Sequence, residues 1–291
     1  MSSAVDVMTT PEKSSWQWGL WLRQIRAILA LELQKNFLSR RSILIYLIAF
    51  LPLFPLLVLA LVQPPGDEWQ DFNNLGKIYV VLYHGFILRT VVFFGCAWIF
   101  MNLFRGELVD RSLHYYFLSA VRREVLVVGK YLSGLVTSIV MFTATTVIAM
   151  LLLYFPHFYS QSMRFFTTGA GLGHLLGYAG ITMLACVGYG AFFLVVGLFI
   201  RNPIIPALLL YGWEWLNFLL PPLLKKISVV HYLNSLMPVP ISTAIQEGPL
   251  AVVAEPTPAY IAIPSMLLVT LLVLILAAYR TRHMEIRYGS E

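Results

Sequence analysis

Apolar residues run in unbroken stretches along most of this chain instead of alternating with polar ones. Such stretches read as membrane spans when they approach the ~20 residues that a helix needs to cross a hydrocarbon core ~30 Å thick. Those that do are Ser42 to Val62, Ile78 to Phe104, Leu126 to Phe155, Leu172 to Ile200, Ile204 to Leu220 and Tyr260 to Tyr279. In hydrocarbon every backbone amide must be paired within its own segment or within a closed barrel, and a barrel strand would show alternation. The pattern therefore predicts an all-α membrane protein with six transmembrane helices. Ahead of the first span, Trp16 to Arg41 places Trp18, Leu22, Ile25, Leu29 and Leu33 at steps of three or four, with Arg23, Arg26 and Lys35 elsewhere. That spacing predicts an amphipathic helix lying in the membrane interface.

The breaks in the pattern carry their own expectations. Pro52 and Pro55 each remove a backbone donor inside the first span and should bend it. Gly169, Gly173, Gly177 and Gly180 precede or line one face of the fourth span, where a second helix is expected to approach closely. The stretch Pro221 to Ala259 is moderately apolar and punctuated by proline, which suits short helices lying on or dipping into the outer leaflet. The organisation expected is an N-terminal segment 1–41 with its interface helix, a membrane domain 42–279 and a tail 280–291.

Composition excludes the soluble alternatives. Of 291 residues, 59% are hydrophobic and only 12% charged, and the mean hydropathy is +0.77, too apolar to cover a water-facing surface. The net charge of +6 could suggest nucleic acid, but its distribution speaks for topology. With six spans and the N-terminus inside, Lys77, Arg164, Lys225 and Lys226 fall outside, Arg89 falls within a span, and all the other Lys and Arg residues fall on the cytoplasmic side. This positive-inside bias predicts a multi-pass protein of a bacterial cytoplasmic membrane with both termini cytoplasmic, in contact with membrane lipids and not with nucleic acid. The first 41 residues show no apolar core followed by a small-residue cleavage site, so no cleaved signal peptide is expected. Cys96 and Cys186 lie inside spans and away from any CxxC, which reads as small buried residues and not as a disulfide or zinc site.

Candidate chemistry is sparse. The chain has no phosphate-binding lysine loop, HExxH, GxSxG or clustered Cys/His/Asp set, and its histidines are scattered singly. No catalytic site, metal or bound cofactor is expected. Arg89 and Glu214 interrupt apolar spans, about 16 Å from the outer face and about 15 Å from the inner face at ~1.5 Å per residue, so both fall near the midplane. Charges there face the bundle interior, a partner or a watery path. We expect Arg89 and Glu214 to pair within or between subunits, either as a structural ion pair or as part of a transport route, with His84, Trp213, Trp215 and Tyr83 as neighbours. An ATP-independent carrier or scaffold built on this pair is the alternative to the reading that follows.

The stretch Phe104 to Lys130, between the second and third spans, concentrates charge: Arg105, Glu107, Asp110, Arg111, Arg122, Arg123, Glu124 and Lys130. It is capable of forming a helix, and its basic excess also suits anionic lipid. Its order resembles the loop of ABC-2 type transporter permeases, the transmembrane subunits of ABC exporters, through Gly106, Glu107, Leu113, Leu118, Ser119, Arg123, Gly129 and Lys130. It departs from that pattern at Ala120, where proline is usual, and in lacking the usual Thr after Gly. The resemblance implies a permease that dimerises with a second permease subunit, as homo- or heterodimer. It also implies a separate nucleotide-binding ATPase subunit that holds ATP and Mg. The loop would form a coupling helix contacting that ATPase through Glu107, Asp110, Arg111, Arg122 and Arg123. The second and fifth spans would line the route, placing Arg89, Glu214, His84 and Trp213 on it.

Overall fold

The computed structural model describes residues 18–39, 42–62, 71–109, 122–200, 202–219, 221–226, 228–240 and 256–282, apart from the side chains of 107–109, 218, 219 and 222. The described residues are helical, without a strand. In chain order they form α1 (Trp18–Leu38), α2 (Ser42–Phe50) and α3 (Leu53–Leu61). Next comes α4, continuous from Phe72–Leu82 through a π-helical stretch Tyr83–Val92 to Phe93–Val109. Then follow α5 (Arg123–Tyr154), α6 (Tyr159–Thr167), α7 (Gly171–Phe199) and α8 (Ile204–Trp215). After α8 a 3-10 turn, Leu216–Leu219, leads to α9 (Pro222–Lys225), α10 (Val229–Ser235) and α11 (Ala259–Arg282).

Four of these helices are long and apolar enough to cross a membrane: Phe72–Gly106 within α4, Arg123–Tyr154, Gly171–Phe199 and Ala259–Arg282. They correspond to the second, third, fourth and sixth predicted spans. The second starts earlier than its apolar run because the Asp71 side chain accepts from Asn73 N at 2.9 Å and caps the helix. The predicted first span is a bent pair, α2 and α3, inclined by 43°, with the break at Leu51 and Pro52. Pro55 sits in the first turn of α3, where its missing donor interrupts no helical bond.

The predicted fifth span is the exception. Its α-helix, α8, has 12 residues, about 18 Å at ~1.5 Å per residue, which is short of a hydrocarbon core. The helix tightens into the 3-10 turn after Trp215, and Pro221 and Pro222 follow within a few residues.

The core lies between α4, α5 and α7, with α11 along the outside of α7 and α5. At Gly197 of α7 a Cβ would stand 2.8 Å from Met101 Cα of α4, so glycine is what permits that approach. Buried polar groups cross-tie the same three helices. Tyr83 OH donates to Tyr178 O at 3.1 Å and lies 2.9 Å from Thr182 Oγ1, which is 3.1 Å from Thr146 Oγ1. Tyr79 OH donates to Thr146 O at 2.9 Å.

Among the described residues of this chain no second helix seats on the glycine series: Gly173 and Gly180 face open space, Gly169 meets its own neighbour Phe165, and Gly177 meets Pro238. Helix α1 packs along α5 with Ile28 and Glu32 buried, while Trp18 and Leu22 of the predicted apolar stripe are exposed. Apolar residues surround α1 on most sides, so spacing alone does not select its packed face.

Candidate functional site

Two cations carried by the long apolar helices, Lys130 wholly buried and Arg89 half-buried, define the candidate sites. The first, Lys130, lies two turns into α5 at the end of the bundle where α4 finishes. It is wholly buried, and its ammonium donates to Glu32 Oε1 at 2.9 Å and to Leu103 O at 2.9 Å. The ammonium also stands 5.4 Å from the Phe104 ring centroid. Glu32 accepts from Lys35 Nζ as well, at 3.4 Å. The pair therefore joins α1, the last turns of α4 and the first turns of α5.

The approach of α1 that makes this junction is permitted by Gly129, where a Cβ would stand 3.0 Å from Ile28 Cγ2. Asn36 Nδ2 donates to Thr137 Oγ1 at 3.2 Å farther along the same contact. Neither Glu32 nor its pairing with Lys130 is legible from periodicity. The available signal is that Glu32 is the lone acidic residue of α1 and Lys130 the lone charge deep in α5's apolar run.

The second cation, Arg89, stands at the centre of the apolar stretch Phe72–Gly106 and within the π-helical segment of α4. Widened turns of this kind are enriched at functional sites. No carboxylate lies within 4.0 Å of Arg89 in the chain's described residues; its guanidinium stands 5.7 Å from the Trp215 ring centroid, and its Nε is buried without a hydrogen-bond partner. His84, one turn earlier and close enough to feel the Arg89 charge, is buried with Nε2 unpartnered. Tyr189 of α7, also near Arg89, is fully buried with its hydroxyl unpartnered. Tyr211 bridges the region: its OH is 3.4 Å from Thr90 Oγ1, and its ring packs on Phe93, Phe94 and Trp215.

Glu214 faces the same region, but its oxygens serve another purpose. Oε1 accepts from Val229 N at 3.1 Å, while Oε2 accepts from Val230 N at 3.2 Å and from the Ser228 hydroxyl. The carboxylate thus holds the start of α10 against α8. The expected direct Arg89–Glu214 ion pair does not form within the chain: the two act on each other only through space. Trp213 is half-buried on α8, and Trp215 is 44% exposed. Within α10, His231 Nε2 lies 3.1 Å from Thr257 Oγ1.

Of the residues expected to contact an ATPase, Asp110, Arg111 and the side chain of Glu107 lie outside the described residues. Arg122 is exposed at the extended residue before α5, 4.9 Å from the Trp21 ring centroid. Arg123 is turned to α11, donating to Thr281 O at 3.3 Å and Arg282 O at 3.0 Å, where it satisfies carbonyls at that helix's C-terminal end. Arg282 Nε in turn lies 4.0 Å from Glu124 Oε1. The end of α4 and the start of α5, which flank residues 110–121 in sequence, are therefore tied to α1 and α11. Among the described residues no group of His, Cys, Asp and Glu side chains is arranged to hold a metal ion.

No family model, curated protein or solved structure matches this chain.

Proposed function

We propose that this chain is the permease subunit of an ATP-driven exporter of the ABC-2 type. In this reading six spans, with α8 and its 3-10 turn as the fifth, form one half of a translocation path in a bacterial cytoplasmic membrane. Both termini and the loop 104–130 face the cytoplasm. The chain breaks no covalent bond; a separate ATPase subunit binds ATP and Mg, hydrolyses the nucleotide and acts on the loop, and a second permease subunit completes the path.

The observation that carries the proposal is the construction of the loop's stem. A loop that receives mechanical work must be tied to the spans at both ends, and a satisfied buried ion pair fixes one geometry more sharply than apolar contact does. Lys130, Glu32 and Leu103 O provide that tie from α5 to α1 and α4, and Arg123 provides another to α11. The charge order of the loop, with Glu107 and Asp110 before Arg122, adds support.

The test is photocross-linking in native membranes. A photoreactive amino acid at position 107 or 122 should capture a nucleotide-binding polypeptide, while one at exposed Leu271 of α11 should not. Capture of lipid alone from both loop positions would remove the reading.

A further inference from the structure

The half-buried cation at the centre of α4 is set up unlike the wholly buried Lys130. A guanidinium carries five N–H donors in a fork, has no acceptor capacity and stays charged. At half-buried Arg89 that fork has no hydrogen bond to any described residue, its Nε is the buried nitrogen left without a partner, and an aromatic face, Trp215, stands at 5.7 Å. The nearby carboxylate that should neutralise it, Glu214, has both oxygens engaged by Ser228, Val229 and Val230. Around it two further buried polar atoms, His84 Nε2 and the Tyr189 hydroxyl, also lack partners. Unmade hydrogen bonds at such depth are costly, and their clustering around one charge on one π-helical segment points to a missing common partner.

The partner's chemistry follows from what surrounds the charge. A fork of donors with neighbouring hydroxyl and imidazole groups matches a phosphate or carboxylate oxygen set. The way in is apolar: Trp215 is 44% exposed, and Leu208, two helical turns before it on the same face of α8, is 55% exposed. A free hydrated anion would have to shed its water against that face, whereas the acidic headgroup of an amphiphile would bring a tail to cover it.

We infer that the Arg89 segment of α4, with His84, Tyr189 and Trp215, is a binding site for the acidic headgroup of a membrane-dissolved amphiphile. The inference deepens the permease reading, on which it rests for the site's place along the route. Arg89 supplies the charge and the directed donors, Trp215 closes the apolar side, and Glu214 holds α8 and α10 in place without filling the site. The class of cargo so implied is an anionic lipid or lipid-linked acid.

The experiment uses the full chain alone, reconstituted in bilayer nanodiscs of phosphatidylcholine containing phosphatidylglycerol, with retained lipid counted by native mass spectrometry. Wild type should retain one more phosphatidylglycerol than Arg89→Gln, with apparent affinity weaker by about ten- to hundred-fold in the variant, as expected for hydrogen bonds to a charged group. Arg89→Lys should retain part of the binding, and Trp215→Ala, a change at an exposed position, should weaken it.

An excess of inorganic phosphate should leave the bound lipid in place. Equal retention by wild type, Arg89→Gln and Trp215→Ala would overturn the proposal, as would displacement by inorganic phosphate. Because no ATPase or transport is read, loss of the ATPase partner assignment would leave this result standing, and the reverse holds as well.

Discussion

Lys130 and Arg89 are both cations carried by long apolar helices, yet their surroundings differ in kind. Lys130 is wholly buried and meets a carboxylate, a backbone carbonyl and an aromatic face. Arg89 meets an aromatic face and no acceptor, while its nearest carboxylate is engaged elsewhere. A buried charge with all its donors satisfied belongs to the architecture, and removing one partner of such a pair strands the other. A charge held in place with its donors unmade is a site in want of a partner. On this reading the loop end of the bundle is a fixed joint and the middle of α4 is a receptive surface, and the proposed transport role needs both.

The largest effect expected is at the joint. Lys130→Met leaves Glu32 buried without its main counter-charge and should destabilise the fold by about 3–5 kcal/mol, read by thermal unfolding in detergent. The double variant Glu32→Leu with Lys130→Met should recover most of that loss. A recovery of nothing would mean that the pair is not the source of the stability.

Glu214→Gln comes next. It removes charge-assisted bonds to the start of α10 and should weaken that attachment by about 1.5–3 kcal/mol, seen as faster hydrogen exchange in residues 228–240. Gly129→Leu should follow, at about 1–3 kcal/mol, because the new side chain meets Ile28 and pushes α1 off α5.

A smaller effect is expected with acid. Burial, reinforced by Lys225 and Lys226, holds the His231 ring below its ordinary value of 6.5. The unfolded ring therefore takes up a proton more readily than the folded one, and stability should be intact above pH 6.5 and decline as pH falls below it. Replacement by Asn should flatten that decline in a hydrogen-exchange titration of α10.

The smallest effect on folding should come from Arg89→Gln, within about 1 kcal/mol of wild type or stabilising, since it removes a half-buried charge that lacks a direct counter-ion. A loss as large as that of Lys130→Met would erase the contrast between the two cations.

How far the sequence reveals this arrangement depends on the range of the cause. Long helices are legible because an apolar run suited to hydrocarbon leaves the backbone few options, and the α2–α3 bend is legible because Pro52 acts on its own turn. The fifth predicted span is legible only in part, because Ile204 to Leu220 is apolar enough for a span, while its α-helix ends after Trp215 in a 3-10 turn. The packed face of α1 is hidden because leucines and alanines lie around most of it, and Glu32 is drawn inward by a lysine 98 positions away.

Arg89 announces itself as a charge among apolar residues. The absence of a direct pair with Glu214 within the chain does not, because that carboxylate is claimed by the backbone of α10, whose position only the tertiary structure sets.

The central claim is that this chain converts the work of a separate ATPase. Its most direct test is affinity purification from native membranes in mild detergent, with mass identification of the bound proteins and an assay of ATP hydrolysis. The account predicts a nucleotide-binding polypeptide at a fixed ratio to this chain and hydrolysis in the purified complex. Recovery of the chain alone and inactive on ATP, under conditions that preserve membrane complexes, would contradict it.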